Sequence, residues 1–184
     1  MVKGSTQSKG GMTLPPFKNE RIFPGVDDPK VREAFPKAIS QVRGQLGKTY
    51  PLYIDGRDVT TGTTLDSTNP ANPSEVIGKV CQAGQVEAKL ALDAAERALL
   101  TWRDVPPAER AQYLVKAAEV ARRRMFEYAA WQVLEEGKQW AQAYNDLAEG
   151  IDFLEYYARE MIRLGEPQDL GSYAGEKNYY FYQP

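Results

Sequence analysis

The stretch YPLYIDGRDVTTGTTLDSTNPANPSEVIGKV, residues 50–80, decides how the chain begins to fold, because residues that favour strands and tight turns are concentrated there. Asp55 and Gly56 stand between two apolar-rich arms. This pair is typical of a two-residue hairpin, because a type I′ turn requires positive φ at both central positions. Further turns are predicted at residues 60–64 and 69–73, followed by a short strand at 75–80. The stretch therefore predicts two or three short strands.

The next part of the sequence has the periodicity of helices. In residues 86–102, apolar side chains recur every three or four positions, which indicates an amphipathic helix with a small-residue face for close packing. Pro107 suits the first turn of a second helix, whose predicted buried stripe is Leu114, Ala117, Ala118 and Ala121. A third helix is expected over residues 125–136, with Gly137 as its C-cap.

The longest helix is predicted near the end of the chain. Its apolar seam steps alternately by four and three residues through Trp140, Tyr144, Leu147, Ile151, Leu154, Ala158 and Met161. Gly165 and Pro167 are expected to end it. The spacing fits a core helix or a coiled coil, and a core helix is the more frequent outcome for three heptads of mixed residues.

The start of the chain contains fewer signals. Residues 1–16 are expected to form a disordered leader, since the first eleven are rich in Gly, Ser and Lys. An extended arm is predicted from Phe17 onward, then a helix over residues 36–46 that ends at Gly47. Pro36 is expected at the helix start because proline lacks a backbone N–H to donate.

Composition excludes several functions. A net charge of -2 provides no large positive field, so we expect neither nucleic acid nor a membrane surface as a partner. The three arginines at 122–124 are interpreted as a solvated helix face. The chain has no histidine, which excludes Ser-His-Asp catalysis and histidine-ligated zinc within it. With no signal peptide or apolar span, a cytoplasmic protein is expected.

Two residues are candidates for chemistry. Cys81 is the one cysteine, but without a histidine to act as base we interpret it as a small buried structural residue. Glu149 lies opposite the apolar seam of the last helix, on a face that also carries Asn145, Phe153 and Tyr156. That carboxylate either faces solvent or lines a ligand cavity, and the aromatic neighbours indicate that this second face is covered too. No catalytic, cofactor-binding or metal-binding residue is predicted.

Several segments, in order, resemble the aldehyde dehydrogenase superfamily. DGRDV followed by TNPANPSEVIGKV is similar to its opening hairpin and Asn-Pro strand, and the helical block that contains EEGK resembles its next helices. NDLAEGIDFLEYYAREM narrows the resemblance to the 1-pyrroline-5-carboxylate dehydrogenases. NYYFYQP, at 178–184, looks like the first strand of the oligomerisation flap. From Phe17 onward, nearly the whole chain takes part in the resemblance.

The resemblance implies an α/β fold, of which this chain is the N-terminal segment: mostly helical, with a few short strands. Residues 17–175 correspond to the N-terminal part of the NAD-binding domain and 176–184 to a truncated flap strand, whose partner is expected beyond residue 184. The complete enzyme would be a homo-oligomer that oxidises glutamate semialdehyde to glutamate with NAD. Its catalytic cysteine and cofactor site would lie downstream, so the chain alone is expected to bind no cofactor and to be inactive.

One residue of this chain receives a role from the resemblance. The glutamate of the motif AEGID faces the substrate tunnel in that family and is associated with the substrate's amino group, which makes Glu149 a predicted substrate-binding residue. Gly150 departs from a commoner alanine.

Two alternatives remain open: a stand-alone helical interaction module, or one half of a split enzyme. If the chain is instead part of the longer enzyme, apolar helix surface is expected to be left uncovered, because its helices would normally bury their seams against a nucleotide-binding sheet that this chain does not encode.

Overall fold

The computed structural model describes residues 14–171 and 173–182. Helices and strands follow one another in the order α1 (Pro29–Arg43), β1 (Lys48–Tyr50), β2 (Leu52–Ile54), β3 (Arg57–Val59), β4 (Thr64–Asn69), β5 (Asn72–Cys81), α2 (Gln85–Trp102), α3 (Pro107–Arg123), α4 (Met125–Glu136), α5 (Trp140–Gly165), β6 (Gln168–Asp169) and β7 (Tyr179–Tyr180).

Helix α1 begins seven residues earlier than predicted, at Pro29 rather than Pro36. The side chain of Asp28 caps it by accepting hydrogen bonds from the backbone N–H groups of Lys30 and Val31. Pro36 lies inside the helix. The helix continues through this proline because residues on both sides of it, among them Phe35, are buried on one face. The predicted end at Gly47 is also wrong, since α1 ends at Arg43.

The strands form a hairpin and a small mixed sheet. Asp55 and Gly56 have φ values of 54° and 75° between β2 and β3, which confirms the predicted hairpin. In the sheet, β5 pairs with β4 antiparallel and with β1 parallel. The prediction of two or three strands was too low, since five precede α2 among the residues that the structure describes. Strand β1 was missed because its three residues are exposed and show no alternation, and it pairs with a strand about thirty positions away.

The core lies between α1, α3, α4 and α5. Helices α4 and α5 bury Ala129, Ala143 and Ile151 almost completely, and α1 adds Phe35, whose ring stacks on Trp140 at a centroid distance of 4.7 Å. The predicted limits of α4 are confirmed, with Gly137 in a left-handed conformation at φ 69°. Helix α5 is a core helix rather than a coiled coil of the kind considered above, because its seam packs against α3 and α4 within the same chain.

Helix α2 differs from the others in its packing. Its limits agree with the prediction to within one residue, but none of its residues is buried. The predicted close-packing face is therefore wrong for this chain. The exposed apolar side chains are Val86, Leu90, Leu92, Leu99, Leu100 and Trp102.

Both ends of the described chain contact other elements. Strand β7 pairs antiparallel with β6, so the predicted aromatic strand has a partner within the chain and not only beyond it. Most of the predicted leader, residues 1–13, lies outside the described residues. Residues 14–16, which the prediction included in the leader, have no regular secondary structure, and the carbonyl of Pro15 accepts a hydrogen bond of 2.8 Å from Arg159.

Candidate functional site

The face of α5 that carries Glu149 is partly covered by the segment that precedes α1. The side-chain oxygen of Asn145 accepts a hydrogen bond of 2.8 Å from the backbone N–H of Phe23, and Asp152 accepts one of 2.6 Å from that of Glu20. Farther along, the ring of Tyr156 meets Phe17 edge to face at 5.7 Å. The sequence predicted a second covered face on this helix, and the segment before α1 supplies part of that cover.

Glu149 itself is exposed. In the part of the chain that the structure describes, no hydrogen bond or ion pair joins its carboxylate to another side chain. Its neighbours on this face, Phe153 and Tyr156, are 52% and 44% exposed. The carboxylate is therefore accessible beside aromatic side chains, as a residue that receives a cation from outside this chain would have to be.

A buried carboxylate one turn and a half farther along α5 was missed by the sequence reasoning. Glu155 has 12% of its side chain exposed and is held by two arginines: Arg122 at 2.8 Å and Arg159 at 2.7 Å. Burial by itself would raise the pKa of Glu155, but hydrogen bonds from Arg159 and Arg122 outweigh it and hold that pKa below its ordinary value. The i,i+4 spacing of Glu155 and Arg159 is the sequence signal that could have indicated this pair.

The three consecutive arginines turn out to differ. Arg122 binds Glu155 of α5 and also Glu20 of the segment before α1. Arg124 binds Glu127 and covers the ring of Tyr128 at 4.5 Å. Arg123 is exposed, with no ion pair to another described residue. All three arginines are exposed, as the interpretation of a solvated face requires, but Arg122 also joins three separate parts of the chain.

Two cavities lie near this helix. One, of about 340 Å³, lies between the N-terminal segment and α3–α5, and its wall includes Glu20, Arg21, Arg122 and Tyr144. The other, of about 440 Å³, lies where α2, α3 and the end of α5 meet and is lined mainly by aromatic and aliphatic side chains, Trp102 and Tyr113 among them. Glu149 lines neither cavity.

Cys81 is the last residue of β5 and is 3% exposed, opposite Thr64 of β4. This confirms the interpretation of a small buried residue. Among the described residues, no group of three or more His, Cys, Asp or Glu side chains could hold a metal ion. No helix in the described ranges is both long and apolar enough to cross a membrane.

The chain is similar over nearly its whole length to known enzymes. It is 47% identical over 171 residues to a "1-pyrroline-5-carboxylate dehydrogenase 1" of Halalkalibacterium halodurans, covering 93% of this chain and 33% of that protein. A "1-pyrroline-5-carboxylate dehydrogenase 2" of Bacillus subtilis is 46% identical over 169 residues, with 92% and 33% covered. The structure of a 1-pyrroline-5-carboxylate dehydrogenase from Thermus with bound NAD superposes with a TM-score of 0.90 at 45% identity, covering 94% of this chain and 34% of that one.

These relatives are much longer than this chain. The chain spans about a third of the length of the proteins it matches. Its mixed helices and strands match the N-terminal part of their fold, as the resemblance implied. The sequence profile described as "Aldehyde dehydrogenase family" matches residues 57–184, which is more than half of the chain. With fold, sequence and profile in agreement, this chain belongs to the aldehyde dehydrogenase family.

Proposed function

We propose that the chain is the N-terminal part of an NAD-dependent dehydrogenase that oxidises L-glutamate γ-semialdehyde, formed from 1-pyrroline-5-carboxylate, to L-glutamate in proline degradation. The observation that carries the proposal is the 47% identity to a 1-pyrroline-5-carboxylate dehydrogenase over 93% of this chain. NAD would accept the hydride and water would supply the second carboxylate oxygen. The complete protein would be a cytoplasmic homo-oligomer.

In this proposal the chain supplies framework and one substrate contact rather than the reacting groups. Residues 17–175 would belong to the NAD-binding domain and 176–184 to the oligomerisation flap. The printed sequence contains no GxGxxG motif, so no residue of it is assigned to the cofactor's pyrophosphate. Cys81 is buried at the end of a strand, which argues against its acting as the nucleophile.

Glu149 would bind the substrate's ammonium group. Its carboxylate is exposed and is not paired with another described side chain, so it remains available to a cation. A charge-assisted hydrogen bond between carboxylate and ammonium is stronger than a neutral one, and an aldehyde without the amino group would forgo it. Glu149 would thus contribute to selection among aldehydes.

The proposal is tested on a chimera that joins residues 1–184 to the remaining two thirds of the Bacillus subtilis relative. We expect the chimera to form NADH from pyrroline-5-carboxylate, whereas residues 1–184 alone form none. Restored activity on mixing the two separate pieces would instead favour a split enzyme. A folded chimera that binds NAD but does not oxidise this substrate would overturn the proposal.

The role of Glu149 is tested in the same chimera. Glu149→Gln should raise KM for glutamate semialdehyde by about tenfold, because the ammonium loses its charged partner. It should leave KM for glutaric semialdehyde, which has no amino group, unchanged. Glu96→Gln serves as the matched control, since Glu96 is an exposed glutamate on α2. Equal effects of Glu149→Gln on both aldehydes would contradict the assignment.

A further inference from the structure

The segment 15–23, called the N-terminal arm below, runs antiparallel to α5. Its contacts follow one another down the helix: the carbonyl of Pro15 binds Arg159, the ring of Phe17 meets Tyr156, and the last contacts reach Asp152 and Asn145. The arm pairs with no strand in the described part of the chain, and its backbone N–H groups at Glu20 and Phe23 donate to side chains of the helix instead. Side chains of α5 therefore supply the hydrogen-bond acceptors that a neighbouring strand would otherwise provide.

Ionic contacts rather than apolar packing hold the middle of the arm. Glu20 accepts a hydrogen bond from Arg122 Nε, and the same guanidinium donates through Nη2 to Glu155. The cavity of about 340 Å³ lies beside this contact, and charged side chains form much of its wall. An arginine can bind two carboxylates in this way because its donors form a planar fork. Arg122 thereby joins the arm to α3 and α5.

The register of these contacts brings the arm beside Glu149. Asn145 and Asp152, which bind the arm's backbone, precede Glu149 by four residues and follow it by three. Side chains at these spacings are neighbours on a helix surface, with Cβ atoms roughly 5–6 Å apart. Since the arm runs along α5 from one to the other, it passes within one helical turn of Glu149.

We infer that the N-terminal arm forms a side wall of the Glu149 site and that Arg122 is the positioning residue that keeps it there. The wall restricts the approach to the carboxylate from one side, and it is held to α5 by the side-chain oxygens of Asn145 and Asp152. The contacts of the arm with α5 do not depend on the function proposed above. The effect of the wall on the approach of substrate to Glu149 does rest on that function.

Hydrogen exchange of the arm in the 184-residue chain tests the anchoring. The backbone amides of Glu20 and Phe23 report directly on the two helix contacts. Arg122→Gln should increase their exchange roughly fivefold, a modest factor because the arginine is 38% exposed. Glu20→Gln, which changes only the arm, should act in the same direction even if Arg122→Gln destabilises the helices.

Arg123→Gln is the matched control, since it removes the same side chain from the next position, which has no ion pair to a described residue. It should leave both amides unchanged. Unchanged exchange in Arg122→Gln and Glu20→Gln, or an equal increase in Arg123→Gln, would overturn the anchoring role.

Carboxyl labelling with a carbodiimide and glycine ethyl ester tests the wall in the absence of substrate. Arg122→Gln and Glu20→Gln should increase labelling of Glu149 about twofold relative to Glu96, with an unchanged unfolding midpoint for Glu20→Gln. Faster arm exchange with constant Glu149 labelling would refute the wall. Because no substrate is present, a failure of the proposed enzymatic function would leave this result unaffected, and the two outcomes can be told apart.

Discussion

Two glycines of α5 show how the surroundings of a residue decide whether its substitution by alanine raises or lowers the free energy of unfolding. A Cβ on Gly165 would lie 2.3 Å from Cγ of Pro107, whereas one on Gly150 would meet nothing within 4 Å. Gly165→Ala should therefore lower the free energy of unfolding by about 1–3 kcal/mol, through overpacking against α3. Gly150→Ala should raise it by roughly 0.5–1 kcal/mol, because alanine favours the helix interior. Urea denaturation measures both, and equal shifts would contradict the contact.

The buried carboxylate Glu155 predicts a pH dependence of stability. The pKa of Glu155 is lower in the folded chain than in the unfolded chain. Its contribution to the free energy of unfolding is therefore complete at pH values above the unfolded-state pKa, about 4.3, and is lost as the pH falls through the folded-state pKa. Glu155→Gln should therefore be less stable than the natural chain at pH 7, and the difference should shrink below about pH 4. Thermal unfolding followed from pH 7 to pH 3 checks this; a difference that grows towards acid would contradict it.

Among the elements, α1 contains a proline in its interior. Pro36 is exposed and cannot donate to the carbonyl of Arg32, although the helix continues through it. Pro36→Ala should raise the free energy of unfolding by about 1–3 kcal/mol, the gain being limited because proline also restricts the unfolded chain. Lys37→Ala, an exposed neighbour, should change it by less than about 0.5 kcal/mol. A loss of helix content in Pro36→Ala would show that the proline has a structural role here.

At the scale of the whole molecule, the uncovered face of α2 is the feature to explain. Leu92 and Leu100 are 65% and 61% exposed. They lie on a helix whose limits and apolar periodicity agree with those predicted for an amphipathic helix. The relatives are about three times as long as this chain, and we expect the additional polypeptide to cover such a face. Apolar surface left open in this way promotes association.

Association should therefore depend on this face. The double variant Leu92→Gln, Leu100→Gln should reduce self-association of the 184-residue chain while leaving its unfolding midpoint nearly unchanged, since neither side chain contributes to the core. Leu134→Gln, in the core at 3% exposure, should instead destabilise the fold. Sedimentation velocity and urea denaturation separate the two effects. Unchanged sedimentation of the double variant would show that self-association is mediated by a different surface.

The sequence by itself determined the features that depend on neighbouring residues. The turn at Asp55-Gly56 and the cap at Gly137 were predictable because a positive φ is a local property that few residue types adopt. The limits of α4 and α5 were predictable for a similar reason, since periodicity and stop signals act within one helix. Family membership followed from the order of these local segments.

Tertiary structure alone decided which surfaces meet. Arg122 lies 102 positions from Glu20 and 33 from Glu155, so no local pattern distinguishes it from Arg123 beside it. The same holds for the parallel pairing of β1 and for which helix leaves its apolar face uncovered. Such contacts depend on how distant segments pack, because burial is shared between surfaces that no single stretch of sequence encodes. Hence the sequence predicted an arm from Phe17 and placed Glu149 on a second face of the last helix, but it did not show that the arm lies against that face.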